Sequence, residues 1–281
     1  MNKKQFITLG TTLAYLLLLP SISFSEVNNN VTSQSSGLYI SGQYKPGISH
    51  FNKFSVKETY HDTVRLIGLK HSAISTDRLN TNTDFNVPYK VTFQNNITSF
   101  SGAIGYSDST GPRFELEGSY ERFDVTDPGD CTVKDTYRYF ALAREVSADT
   151  PNTPTSGKFT VMKNDGVSIA SVMFNGCYDI SLKDLEISPY VCAGIGGDFI
   201  EFFDALHIKL AYQGKLGLNY YLSTKASLFI DGYYHKVIGN QFHNLNVRHV
   251  VDLSTDPKPV YAVATLNIGY FGGEIGVRLT F

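Results

Sequence analysis

Apolar and polar residues alternate over long stretches of this chain, most strictly at its C-terminal end. Phe271, Gly273, Ile275, Val277, Leu279 and Phe281 share one face of an extended strand, and Gly272, Glu274, Gly276, Arg278 and Thr280 share the other. Ile208–Leu222 repeats the pattern, with Leu210, Tyr212, Leu216, Leu218 and Tyr220 opposite Lys209, Gln213, Lys215 and Asn219. Arg113–Phe123 sets Phe114, Leu116 and Tyr120 against Glu115, Glu117 and Glu121, and Lys225–Lys236 sets Leu228, Ile230 and Tyr234 against Ser227, Asp231 and His235. These strands run 11 to 15 residues. A soluble strand typically has about 5–6 residues, whereas a tilted membrane strand needs ~9–11 for the hydrocarbon alone. Length therefore favours a membrane barrel over an exported soluble sandwich, which would alternate in the same way.

Four further segments complete a set of eight. They are Gly37–Lys45, Ile97–Ser107, Gly166–Ile180 and Ile187–Phe199. The connections at Asp108–Pro112, Ser181–Glu186 and Ser223–Thr224 are short and turn-like. They alternate with longer ones near 46–96, 124–165, 200–207 and 237–258. Short turns at one end and long loops at the other is the asymmetry of outer-membrane barrels. The expected fold is therefore all-β, a transmembrane antiparallel up-and-down β-barrel of eight strands with both termini on the periplasmic side. Thr59–Leu69, with Val64, Leu66 and Ile67, leaves two alternatives open: an arm above the membrane, or part of a ten- or twelve-stranded barrel. A structureless connection of some fifty residues would count against eight strands, so local structure is expected there.

The N-terminus carries an export pattern. Lys3 and Lys4 precede an apolar run ending in Leu16–Leu19, Pro20 breaks it, and Ser23 and Ser25 stand before a cleavage point at Ser25/Glu26. Residues 1–25 are expected to be a signal peptide and 26–281 the barrel domain. Past the signal, no apolar run approaches the ~20 residues of a membrane helix, so a membrane-spanning chain must close into a barrel. The 18 Tyr, 19 Phe and 24 Gly, with no Trp, suit β structure. Without Lys3 and Lys4 the net charge is about −4, and nothing in it suggests nucleic-acid binding through a basic surface.

Several blocks carry a resemblance. Gly102–Tyr106, Gly111–Glu121, Tyr190–Gly197, Lys215–Tyr220, Asp231–Asn240 and Gly269–Phe281, falling in that order, resemble the rickettsial surface-antigen (major surface protein) family. The resemblance implies an immunodominant outer-membrane protein with variable surface loops, in a family some of whose members are described as porins. It also implies that the terminal Phe281 is read by the barrel-insertion machinery.

The polar strand faces carry Arg113, Glu115, Glu117, Glu121, Lys209, Lys215, Asp231, His235, Glu274 and Arg278. In a barrel these must point inward, because Arg or Lys on the lipid face at midplane costs about 2–4 kcal/mol. They either line a pore or form a paired network that plugs the lumen, and eight strands leave room for little beyond side chains. Cys177 and Cys192 flank the turn at 181–186 and are candidates for a disulfide, which leaves Cys131 free for a disulfide-linked oligomer. The seven histidines show no metal spacing, Gly194–Gly197 lies within a strand and reads as close packing inside the barrel, and no catalytic constellation is visible. The chain is expected to be no enzyme and to bind no cofactor. Its expected partners are membrane lipid, the assembly machinery and, through loops such as the Pro/Thr-rich 149–157, host molecules or antibodies.

Overall fold

The computed structural model describes residues 36–70, 72, 79–182, 185–256, 258 and 260–281. The expected signal peptide lies outside the described residues. Eight antiparallel strands close into a barrel: β1 (Gly37–Tyr44), β2 (Phe100–Ser107), β3 (Pro112–Phe123), β4 (Val167–Asp179), β5 (Ile187–Phe202), β6 (Ala205–Ser223), β7 (Ala226–Val237) and β8 (Gly269–Thr280). Each strand pairs with its neighbour in sequence, and β1 pairs with β8 to close the ring. Closure leaves no strand edge in hydrocarbon. Thus the strand count is eight, and the segment Arg65–Leu69 belongs to a small sheet outside the barrel.

The stagger follows from the register. Partners traced from Ile40 run through Ile104, Leu116, Phe174, Ile195, Tyr212 and Lys236 to Gly269. Ile40 also pairs directly with Leu279, ten residues further along β8. A stagger of that size tilts the strands by ~35–45°.

Alternation sorts the side chains. Leu38, Ile104, Leu116, Phe174, Ile195, Leu216, Ile230 and Ile275 project outward and are exposed to the surroundings, while the intervening polar residues are buried within the ring. Tyr44, Phe100, Tyr212, Tyr234 and Phe271 lie towards one end of this apolar belt, and Tyr106, Phe114, Tyr178, Tyr220 and Phe281 towards the other. Paired aromatic girdles of this kind mark the two interfaces of a bilayer. Phe281 continues the outward row of β8, and its backbone N–H donates to the Leu38 carbonyl, which ties the chain end to β1.

At the outer end the long connections fold together into a cap. Asn52–Glu58, Tyr261–Asn267 and Gln241–Asn246 form a three-stranded sheet, and Phe85–Pro88, Arg65–Leu69, Tyr139–Ala143 and Phe159–Lys163 form a four-stranded one. The first connection is thus structured, which removes the objection to a fifty-residue loop. One expected loop is not a loop. Residues 200–207 are strand on both sides of a two-residue turn, Phe203-Asp204, with φ of 51° and 57°. This is the left-handed geometry of a tight hairpin, normally signalled by Gly or Asn. Here a bulky Phe adopts it because its ring packs on Phe202 (4.3 Å) and Phe140 (6.0 Å).

Candidate functional site: the barrel interior and its cap

The interior is layered. At the inner, periplasmic end Arg113 on β3 pairs with Asp179 on β4 (3.0 Å) and with Glu115 (2.8 Å), and its guanidinium lies over the Tyr190 ring. Arg278 donates to Asn219 (3.0 Å), and Asn219 in turn donates to Asp179 (2.9 Å). Above this, four charges from four strands interlock. Lys45, just past β1, reaches Glu117 on β3 (2.7 Å) and Glu274 on β8 (3.0 Å); Lys215 on β6 reaches the same two carboxylates, each at 2.8 Å. Asn175 and Gln213 add hydrogen bonds to Glu117 (2.9 and 2.8 Å). All these side chains are buried. Pairing plus hydrogen bonds makes such burial tolerable where isolated charges would be costly.

Space is scarce in this region. A cavity of about 10 Å³ lies among Gln43, Arg113, Glu115, Tyr190, Lys215 and Asp231, room for about one water molecule. Inward glycines make room for larger groups. A Cβ at Gly194 would stand 1.9 Å from Asn175 Oδ1, and one at Gly217 would stand 2.4 Å from the Asp231 Cβ.

Cys177 and Cys192 face each other across β4 and β5, with Cα atoms 4.0 Å apart and their sulfurs bonded. Arg113 Nη2 lies 3.8 Å from Cys192 Sγ. Glu115 approaches the same sulfurs, but a disulfide between them leaves no thiolate for a metal.

Higher in the lumen His235 contacts Asp198 (2.9 Å) and stacks on Tyr270 (4.6 Å between ring centres). Glu121 is buried nearby. Above them Phe123, Val167, Ile169, Ile200, Phe202 and Val237 close the barrel, continuous with cap residues Val56, Phe140, Leu142, Phe242, Leu245 and Ala264 in one apolar core. The cap also holds a buried ion pair: Arg144 meets Glu58 at 2.8 Å, and Thr160 donates to the same carboxylate at 2.8 Å, tying the two small sheets together.

Nine of the ten charged residues singled out by alternation are therefore brought together inside the ring: Arg113, Glu115, Glu117, Glu121, Lys215, Asp231, His235, Glu274 and Arg278. Lys209 is not among them. It sits near the outer end of β6, part-exposed, where its ammonium lies over the Phe242 ring (4.7 Å) and donates to the Gln241 carbonyl. The strand extends past the closed lumen there, so its inner face meets the cap. Sequence reasoning missed Lys45, Asp179 and Asp198, although continuing the same alternation along β1, β4 and β5 would have found them. Glu58 and Arg144 carry no such signal, because their partnership is made by loops far apart in sequence.

On the side of the cap, a cleft of about 220 Å³ is lined by Tyr89, Tyr137, Tyr139, Lys90, Pro88 and Pro128. Burial pushes the Tyr89 and Tyr137 hydroxyls above the ordinary tyrosine range. Arg138 lies over the Tyr137 ring at 5.2 Å.

The chain is similar to several known proteins. The family model described as surface antigen matches residues 31–281. The chain is 31% identical to major surface antigen 4 of Anaplasma marginale over 292 residues, covering all of both chains. Among solved structures, Neisserial surface protein A matches with a TM-score of 0.41 and 12% identity, over 88% of this chain and 98% of that one. Outer membrane protein W of E. coli matches with a TM-score of 0.30 and 11% identity, over 84% and 98%. The family rests on the two sequence matches: this chain belongs to the surface antigen family, as an outer-membrane β-barrel exposed at the cell surface.

Proposed function

We propose that the chain is a non-conducting, non-catalytic scaffold whose barrel is closed by its own side chains and whose work lies in displaying the folded cap. One observation carries this reading. Lys45, Glu117, Lys215 and Glu274 bridge the lumen from β1, β3, β6 and β8, below an apolar seal shared with the cap. A porin needs a wetted path, and eight-stranded barrels leave an interior just wide enough for side chains. Single-channel recording of refolded protein tests it. The wild type is expected to show no steps above lipid background. Regular steps from the wild type would sink the proposal and restore passive diffusion of solutes.

An adhesive role has one specific observation in its favour, the tyrosine-lined cleft beside Lys90. Aromatic faces with a polar rim suit a host surface molecule. Tyr137→Ala is expected to reduce binding of the purified protein to host cells, and unchanged binding would remove the cleft from the account. Two partner expectations stand with these. Cys131, unpaired and half-buried near the outer end, is where covalent oligomers form, so Cys131→Ser abolishes oligomer bands on non-reducing gels. Phe281 serves insertion, so its deletion lowers surface levels before it alters any property of the cap.

A further inference from the structure

The buried charges of the lumen divide into matched sets with one remainder. Glu117 and Glu274 are met by Lys45 and Lys215. Glu115 and Asp179 are met by Arg113, with Arg278 adjoining through Asn219. Asp198 has His235, and Asp231 accepts a hydrogen bond from Tyr190. Glu121 is different. It is 0% exposed, neither carboxylate oxygen makes a well-formed hydrogen bond although the Ser119 hydroxyl lies beside it, and among the described residues it has no ion-pair partner. An ionised carboxylate left this way in a dry interior is among the most costly arrangements a protein can hold.

The groups around Glu121 share its condition. Ser101, Ser119, Ser171 and Asp198 lie on one rung running from β2 to β5, with Glu121 two residues above Ser119 on the same inward face. His235 and Tyr270, paired across β7 and β8, complete the ring from the other side. The Ser101 hydroxyl, the second Asp198 oxygen and the His235 Nδ1 are buried without a partner, and the Ser171 and Tyr270 hydroxyls, beside one another, are buried without a well-formed hydrogen bond. Buried polar atoms are normally satisfied. Others occur lower in the lumen, at Gln43, Gln213, Ser227, Asp231 and Arg278, but in this layer, beneath the apolar seal and above the ion-pair bridge, they surround a carboxylate that has no ion-pair partner.

We infer that this layer is a cation site, in which Glu121 binds a hard, oxygen-preferring metal ion directly while Asp198, Ser101, Ser171 and Tyr270 hold its remaining water shell. A proton on Glu121 would quench its charge but leave the surrounding oxygens as they are. A cation of the calcium class takes about six to eight oxygen ligands, part of them water, and so satisfies the whole layer. The ion keeps water because no three acidic, histidine or cysteine ligand atoms converge there within 4.8 Å among the described residues. Thiol or imidazole metals are disfavoured, since the donors are almost all oxygen and His235 already engages Asp198.

The site rests on the closed lumen proposed above, and it can be tested separately. The full chain is refolded into detergent with calcium or with EDTA, desalted, and assayed for metal by atomic emission. The wild type refolded with calcium is expected to retain about one ion per chain, to melt higher than the EDTA sample, and to resist later chelation because both ends are closed. Glu121→Gln, which keeps the side chain's size and loses its charge, is expected to retain none. With terbium in place of calcium, emission excited through tyrosine should fall several-fold in Tyr270→Phe. A metal-free wild type overturns the site without any variant having to fold, and an ion retained in Glu121→Gln overturns it equally. A conducting wild type that still carries calcium would instead defeat the sealing and keep the ion.

Discussion

The barrel interior and the cap are built on opposite plans. Within the membrane belt the outward face is apolar, with Leu216, Ile195 and Phe174 exposed, and the inside is charged. In the cap, Phe140, Phe242 and Ala262 are fully buried in a conventional apolar core. The difference follows from the solvent on each side of the same chain. Hydrocarbon outside the belt gives apolar side chains no reason to gather inside, so the interior is free to be polar and must satisfy itself. Above the interface water restores the usual driving force, and the cap buries apolar surface. Where the plans meet, Phe123, Ile169, Ile200 and Phe202 extend the cap's core down into the barrel's mouth.

The comparison can be broken by mutations that exchange the two rules. Lys215→Met leaves Glu117 and Glu274 with only Lys45, and removing one partner of a buried pair costs about 3–5 kcal/mol. The loss should appear as a barrel that denatures at lower urea. Phe140→Ala, of comparable cost at ~3–5 kcal/mol, should act on the other unit. The cap becomes sensitive to protease while the barrel keeps its heat-modifiable migration on gels. If the barrel melts together with the cap, the two regions are one cooperative unit and the contrast fails.

A smaller effect is expected on the lipid face. Leu216→Arg, near the middle of the β6 row, costs about 2–4 kcal/mol in a bilayer, whereas an arginine replacing an exposed polar residue of the cap should cost almost nothing. Equal costs at the two places would show that β6 is not lipid-facing. The disulfide offers a further test. Opening Cys177–Cys192, which closes a loop of 15 residues, is expected to remove about 3 kcal/mol, measured as a lowered urea midpoint of Cys177→Ser/Cys192→Ser.

The smallest effect concerns an exposed pair in the cap. Lys158 donates to Glu145 and holds its carboxyl below the ordinary range. A depressed folded value means the contribution is present above the unfolded carboxylate pKa and lost as pH falls through the folded one. Lys158→Ala should move the Glu145 titration up, read by NMR, with stability at neutral pH nearly unchanged because both groups face solvent.

Much of the barrel was legible because period two needs only local information. Residues such as Glu117 and Leu116 declare opposite faces wherever the strand goes, and the boundaries of β3, β6 and β8 fell within three residues of those read from alternation. The cap was not legible. Its strands are four to seven residues long, and their partners come from different connections, as with Arg65–Leu69 beside Tyr139–Ala143. The Phe203-Asp204 turn escaped for a related reason: a left-handed Phe is held by tertiary packing, with no local turn residue to announce it.

The sequence by itself determined the class of this protein, an alternating closed barrel with charges inward, because lipid on one side and confinement on the other act on every strand residue in turn. Only the tertiary structure decided that the charges interlock, that Lys209 leaves the lumen for the cap, and that Glu121 stands unmatched. Those outcomes depend on which residues of distant strands share a height. That height is set by a ten-residue stagger around the ring, which closure imposes on all eight strands together and no single strand encodes.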